Sequence, residues 1–211
     1  MSRNRRNFLG DKKRSHRKRK PVILLLAEGN DNKTEKEYFK YFKDQKAKYS
    51  VIVQSSGDTD LKSMAEALAK KRDQLELDVA LGDKCFIVAD LDLDKEKSKW
   101  LRNNISKYSK KGIGFIISNP CFEVWYLFHF TDSTHPYSDN KEVIKALRKY
   151  IPGYMKSTCP HSDLKENTGL AISNAAKVEQ AHIRNGKSWI SVECNPMTDV
   201  YKLLSIIMGI I

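Results

Sequence analysis

No apolar run in this chain approaches the roughly 18 residues that a membrane-spanning helix needs. The longest, Val22 to Ala27, stops at the charge of Glu28. The basic amino terminus has neither the apolar core nor the small-residue cleavage site of a secretory signal, so the chain reads as a soluble protein of the cytoplasm. Cysteine is sparse. Cys85, Cys121, Cys159 and Cys194 stand 35 to 38 residues apart, and without a C-x-x-C pair they suggest neither a zinc knuckle nor a redox motif and read as reduced thiols. A Gly-rich or Walker-type phosphate loop is missing, which counts against nucleotidyl transfer. No internal repeat is present, and no low-complexity segment beyond the first twenty residues.

What is abundant is positive charge. The formal net charge is +12 over 211 residues, and residues 1 to 20 supply +9 of it through ten Lys and Arg against Asp11. Such an arm reads either as a disordered solubilising tail or as a polyanion-binding segment that gains affinity by releasing counterions, with Arg14, Arg17, Lys18, Arg19 and Lys20 as its candidate nucleic-acid contacts. The remaining length can bury a core of its own.

Hydrophobic periodicity organises the rest. Pro21 to Glu28 reads as a continuous apolar strand of the kind buried on both faces of a parallel sheet. Thr34 and Glu37 form a T-x-x-E capping box ahead of the apolar face Tyr38, Phe39 and Phe42. Tyr49 to Gln54 is a β-branched strand, Leu61 to Leu75 a helix, Cys85 to Leu91 a buried strand, about Lys95 to Lys110 a charged helix, and Ile113 to Ile117 a fourth strand. Asn119 and Pro120 then open a helix carrying Phe122, Val124, Trp125, Leu127 and Phe128. Alternating strands and helices imply parallel pairing with right-handed crossovers. Beyond Phe130 the strands give out, and Asn140 to Tyr150, Gly169 to Asn185 and Thr198 to Gly209 read as helices. The expected organisation is a basic tail over 1–20, an α/β domain over 21–130 with about four parallel strands and helices on both faces, and a helical lobe over 131–211 packed on it.

Open parallel sheets bind ligands outside the carboxyl ends of their strands, and those ends are acidic or polar here. The first strand ends at Glu28, followed by Gly29, which permits close backbone approach. The third ends in Asp90-Leu91-Asp92-Leu93-Asp94. Two aspartates at i, i+2 can share one hard dication or its hydration shell; Asp94 reads either as a third ligand or as the cap of the next helix. The fourth strand ends in Ser118-Asn119-Pro120, with Glu123 in the first helical turn. Glu123 either complements the helix dipole or faces the acidic cluster, and Asn119 either caps or contacts phosphate. His129 reads as a structural histidine, Phe122 and Trp125 as core, and Lys156 as a solvated lysine or a phosphate contact from the helical segment.

Strand-E-G at Glu28-Gly29 and strand-D-x-D at Asp90 and Asp92, in this order and separation, resemble the Toprim domain of topoisomerases, primases and related nucleases. A narrower resemblance is to the RloB-like family, also seen in the AbiL type of abortive-infection system. It is carried by Glu28-Gly29 with Thr34-Glu35 and Tyr38-Phe39, by Asp90-Leu91-Asp92, by Ser118-Asn119-Pro120-Cys121-Phe122-Glu123-Val124-Trp125 with His129-Phe130, and by Asn195-Pro196-Met197-Thr198. The resemblance implies a Toprim-like fold and a Mg2+ (or Mn2+) site in which Asp90 and Asp92 hold the metal. Glu28 would ligate metal or move a proton. The expected activity is hydrolysis of phosphodiesters in RNA, tRNA included, or DNA, in antiviral defence beside a partner ATPase. The alternative is a catalytically inactive module that binds nucleic acid or the ATPase.

Overall fold

The computed structural model describes residues 19–30, 34–43, 48–156 and 158–210. Arg14, Arg17 and Lys18, and with them nearly all of the basic segment, lie outside these residues.

The apolar runs pair as expected. Val22–Ala27 (β1), Ser50–Ser55 (β2), Lys84–Asp90 (β3) and Ile113–Asn119 (β4) form parallel ladders in the order β2-β1-β3-β4. Their side chains alternate between two cores, because successive residues of a strand point to opposite faces. Ile23, Leu25, Val51, Val53, Val88 and Ile116 face one. Leu24, Leu26, Cys85, Ile87, Ala89 and Ile117 face the other. Thr34–Lys40 (α1) places Tyr38 and Phe39 on the first face, whereas Leu61–Gln74 (α2) and Lys95–Ser109 (α3) place Leu61, Met64, Leu68 and Leu101 on the second. The chain leaves β1 in one direction to form β2 and returns past it to form β3. β1 and β3 therefore flank the point where strand order reverses, and a crevice opens there at the carboxyl ends.

Glu123–Leu127 (α4), Asn140–Leu147 (α5), His161–Leu164 (α6), Thr168–Arg184 (α7) and Val200–Met208 (α8) all contribute to the first core, with Phe122 and Trp125 fully buried as expected. One element was not foreseen. Met197–Thr198 (β5) pairs antiparallel with β4, Thr198 opposite Ser118 and Met197 opposite Asn119, so the sheet has five strands among the described residues. Two residues carry no periodicity to read. Thr198, expected at the start of a helix, instead sits in this strand, with its hydroxyl 2.8 Å from that of Ser118 while accepting the Val200 N–H. Among the described residues, no helix is long and apolar enough to cross a membrane.

The amino-terminal edge of the sheet is fastened by Asp83, which is 1 % exposed. Its carboxylate accepts from both terminal nitrogens of Arg19 at 3.0 and 2.6 Å and from the N–H groups of Val22 and Asp78 at 2.7 and 2.8 Å. Burial pushes this carboxyl up, but the Arg19 guanidinium and the two N–H donors outweigh it and hold it below the usual range. Asp83→Ala strands both backbone donors at about 1–3 kcal/mol each, so the melting temperature is expected to fall by ~6–12 °C for a net loss of about 3 kcal/mol. A depressed carboxyl contributes stability above its unfolded pKa of about 3.9 and loses it as pH falls through the folded value. The gap between parent and variant should therefore close as melts are taken below about pH 4. A gap that does not change with pH would refute the assignment.

Candidate active site

Glu28 directly follows β1 and Asp90 ends β3, adjacent strands at the reversal point. The fold thus brings together residues 62 apart in sequence: Glu28 Oε2 accepts the backbone N–H of Asp90 at 2.9 Å. Gly29 adopts φ 74°, a left-handed conformation that glycine reaches without strain, and the chain turns there so that its N–H meets Asp58 O at 2.9 Å.

The D-L-D segment after β3 is bent into an unusual backbone. Asp92 and Leu93 both have positive φ, 54° and 57°, a region that costs a branched side chain such as leucine about 1 kcal/mol or more. The bend is tied to the end of β4. Leu91 N–H donates to Ser118 O at 2.7 Å, Asp92 N–H to Pro120 O at 3.0 Å, and Leu93 N–H to Asn119 Oδ1 at 3.2 Å. Asp92 is left facing solvent with its side chain 44 % exposed.

Asp94 takes the capping option. Its Oδ1 accepts from the N–H groups of Glu96 and Lys97 at 2.7 and 3.1 Å, the use a helix start makes of aspartate. Asn119 takes neither role expected of it. It is fully buried, α4 begins four residues later, and its amide donates to Cys194 O at 2.8 Å and Val192 O at 3.3 Å. A buried amide cannot reach a phosphate; Asn119 braces the D-L-D bend against the segment before β5.

Behind Asp90 lies a second acidic group. Glu123 opens α4 at 1 % exposure, and its Oε1 accepts from the hydroxyls of Thr34 and Tyr154, each at 3.2 Å. Asp90 Oδ1 is shut off from solvent without a hydrogen-bond partner. Burial above all, and then the charges of Glu35, Glu123, Asp92 and Glu28, push the Asp90 carboxyl well above the ordinary range. Lys156 is exposed nearby. Desolvation lowers its pKa, but Glu123, with Cys121, Asp90 and Glu35, outweighs that and leaves it raised.

Residues the sequence reading passed over complete the site. Lys97 of α3 places Nζ 3.1 and 3.3 Å from the two oxygens of Glu28 and 3.3 Å from Asp92 Oδ2. Burial lowers its pKa, yet Glu28 and Asp92, with Asp90, raise it further, so the ammonium is held above its usual value. A lysine in the first turn of a helix opposes the helix dipole, and that mismatch was the sequence signal available. Asn140, the first residue of α5, donates to Asp92 Oδ1 at 3.2 Å. No local pattern marks Asn140 or Tyr154, which reach the site only by chain folding.

Glu28, Asp92, Asp94, Lys97 and Trp100 help to line a cleft of about 580 Å³. A hard dication suits carboxylate oxygens, and the orphaned Oδ1 of Asp90 beside four other carboxylates is an acceptor in want of a cation, so the donor chemistry fits magnesium or manganese. The cage is not closed: among the described residues, no three carboxylate, imidazole or thiol side chains form a ready ligand set, and Lys97 lies between Glu28 and Asp92.

Of the remaining candidate residues, Arg19 and His129 have other partners. Arg19 is engaged by Asp83 at the opposite end of the sheet, roughly 20 Å away along a six-residue strand at ~3.3 Å per residue, and Lys20 adjoins it. His129 is structural, its Nδ1 3.0 Å from Trp125 O and its pKa lowered to about 4 by burial.

A family model described as RloB-like protein matches residues 23–207. No curated protein and no solved structure matches the chain.

Proposed function

The chain belongs to the RloB-like family, and from that membership and the carboxylate arrangement we propose that it is a metal-dependent phosphodiesterase acting on nucleic acid, built on a Toprim-type sheet. The observation that carries the reading is Asp90. Its Oδ1 is buried without a partner at the end of a central strand, beside Glu28 and among carboxylates that raise its pKa; such a group is costly to the fold, and costly ionisable groups mark functional sites.

Asp90, Asp92 and Glu28 would hold magnesium or manganese, which supplies charge neutralisation at the phosphate and an acidified water. The protein's own groups do the rest. Glu28, fixed by the Asp90 N–H, is placed to accept and return the proton of the attacking water. Glu123, held by Thr34 and Tyr154, keeps negative charge behind Asp90, and exposed Lys156 meets a substrate oxygen. From Asn140, beside Asp92, α5 leads away through Lys141 and Lys145, exposed lysines at four-residue spacing on one helical face, and exposed Lys149 follows in the turn after it; such a row suits a phosphate backbone. RNA, tRNA included, and DNA both fit this chemistry. The resemblance of its motifs implies a place in abortive-infection defence against phage, with a partner ATPase that senses infection restraining the nuclease.

One observation favours a second reading. The Lys97 bridge to Glu28 and Asp92 neutralises both carboxylates, as would suit an inactive module that only binds nucleic acid or the ATPase. Incubating the full chain, with and without the ATPase, with total RNA, tRNA and duplex DNA in magnesium, manganese or chelator separates the two. Cleavage that needs metal and disappears in Asp92→Asn is expected. Binding without cleavage under every condition would favour the module.

A further inference from the structure

Carboxylates dominate the cleft at the carboxyl edge of the sheet: among the described residues, Glu28, Asp60, Asp92, Asp94 and Glu96 line it with a single cation, Lys97. The Lys97 side chain is 13 % exposed and reaches both oxygens of Glu28 and one of Asp92. Its own helix does not favour it there, since the amino-terminal turn of α3 repels a cation. The carboxylates alone account for its position.

Two cations drawn to those oxygens compete for them. An ammonium keeps carboxylate oxygens about 3 Å away, as found here, whereas magnesium draws them to about 2.0–2.1 Å and demands octahedral order. A dication that takes the oxygens Lys97 now bridges competes with the ammonium for its place between them. The lysine stem is flexible and its ammonium strongly hydrated, so it can leave for the mouth of the cleft at small cost.

We propose that Lys97 is the resident counterion of the metal site: it bridges Glu28 and Asp92 when no metal is bound, competes with the dication for them, and on displacement is free to pair with an incoming phosphate. The inference rests on the metal-dependent reading above. It explains how a dense group of carboxylates is kept without bound metal. It also couples the two ligands. A phosphate that gives the displaced ammonium a new partner lowers the cost of metal binding, and by linkage metal favours phosphate binding to the same degree.

The test is a calorimetric titration of the full chain with manganese chloride, without substrate, on the parent, Lys97→Met, Lys97→Gln and Lys97→Arg. Lys97→Met is expected to bind manganese about tenfold or more tightly than the parent, the ratio that corresponds to losing one competing ion pair. Lys97→Gln should do the same, and it carries the test if the methionine variant does not fold. Lys97→Arg keeps a competing charge and should stay near the parent. Equal manganese affinity in the parent and the neutral variants overturns the counterion role while leaving the metal site standing. An arginine variant that gains as much as methionine also overturns it, because the gain would then not come from removing charge. No binding in any protein overturns this inference and the metal reading together.

Discussion

Asp90→Asn is expected to abolish metal-dependent cleavage and, at neutral pH, to make the protein more stable. The two effects share one cause. A carboxylate that helps to hold the dication is worth several kcal/mol in the transition state, so its loss should lower the cleavage rate by about 10³-fold or more. In the metal-free fold the same group is a burden, because burial and then Glu35, Glu123, Asp92 and Glu28 disfavour its charge. An acid whose folded pKa is raised contributes stability that is fully present below its unfolded value, about 3.9, and is lost as pH rises through the folded value. At neutral pH the parent bears the repulsion, whereas an amide of the same shape does not. Melts in chelator at pH 7.5 should show the asparagine variant higher by ~2–4 °C, the shift that about 1 kcal/mol produces in a chain of this size. The advantage should shrink toward pH 4. A variant that cleaves at the parental rate, or melts below the parent at neutral pH, would contradict the role given to Asp90.

Asn119→Ala should be the most damaging change at the site that removes no charge. The amide is fully buried and makes three hydrogen bonds, accepting from Leu93 N–H and donating to Cys194 O and Val192 O. Alanine leaves buried backbone groups unmatched at about 1–3 kcal/mol apiece. A net loss of about 3 kcal/mol corresponds to a melting temperature lower by ~6–12 °C. The second consequence is local. Asp92 and Leu93 hold positive φ only while the bend is fastened, so an untied bend would let Asp92 drift, and misplacing a ligand by an ångström can cost about 100-fold in rate. Calorimetry together with cleavage at a temperature where the variant is still folded reads both effects. A melting temperature within a degree of the parent would remove Asn119 from the supporting framework.

How far the sequence could be read depended on whether the information was local. The four parallel strands were legible because each is a continuous apolar run, and Glu28, Asp90 and Asp92 were legible as a group because an open sheet collects its strand ends at one edge. Asp94 could be reduced to two options but not decided, since an aspartate before a helix looks the same whether it caps or ligates. The structure shows its oxygen accepting from Glu96 and Lys97. β5 was invisible, because two residues have no periodicity and their strand conformation depends on the free edge of β4. Arg19 and Lys20 are candidate nucleic-acid contacts by charge alone; what no local pattern announces is that Asp83 holds Arg19 at the far end of the sheet.

By itself the sequence determined the kind of sheet and the edge at which Glu28, Asp90 and Asp92 gather, because strand-length apolar runs and the charges that end them are encoded within a few consecutive residues. Only the tertiary structure decided that Lys97 stands between Glu28 and Asp92, that Glu123 and Tyr154 lie behind Asp90, and that Asn119 is a buried brace. Those are contacts between residues 5 to 75 positions apart. Their distances and burial, and the pKa shifts that follow, exist only once separate helices and strands have packed around the same edge.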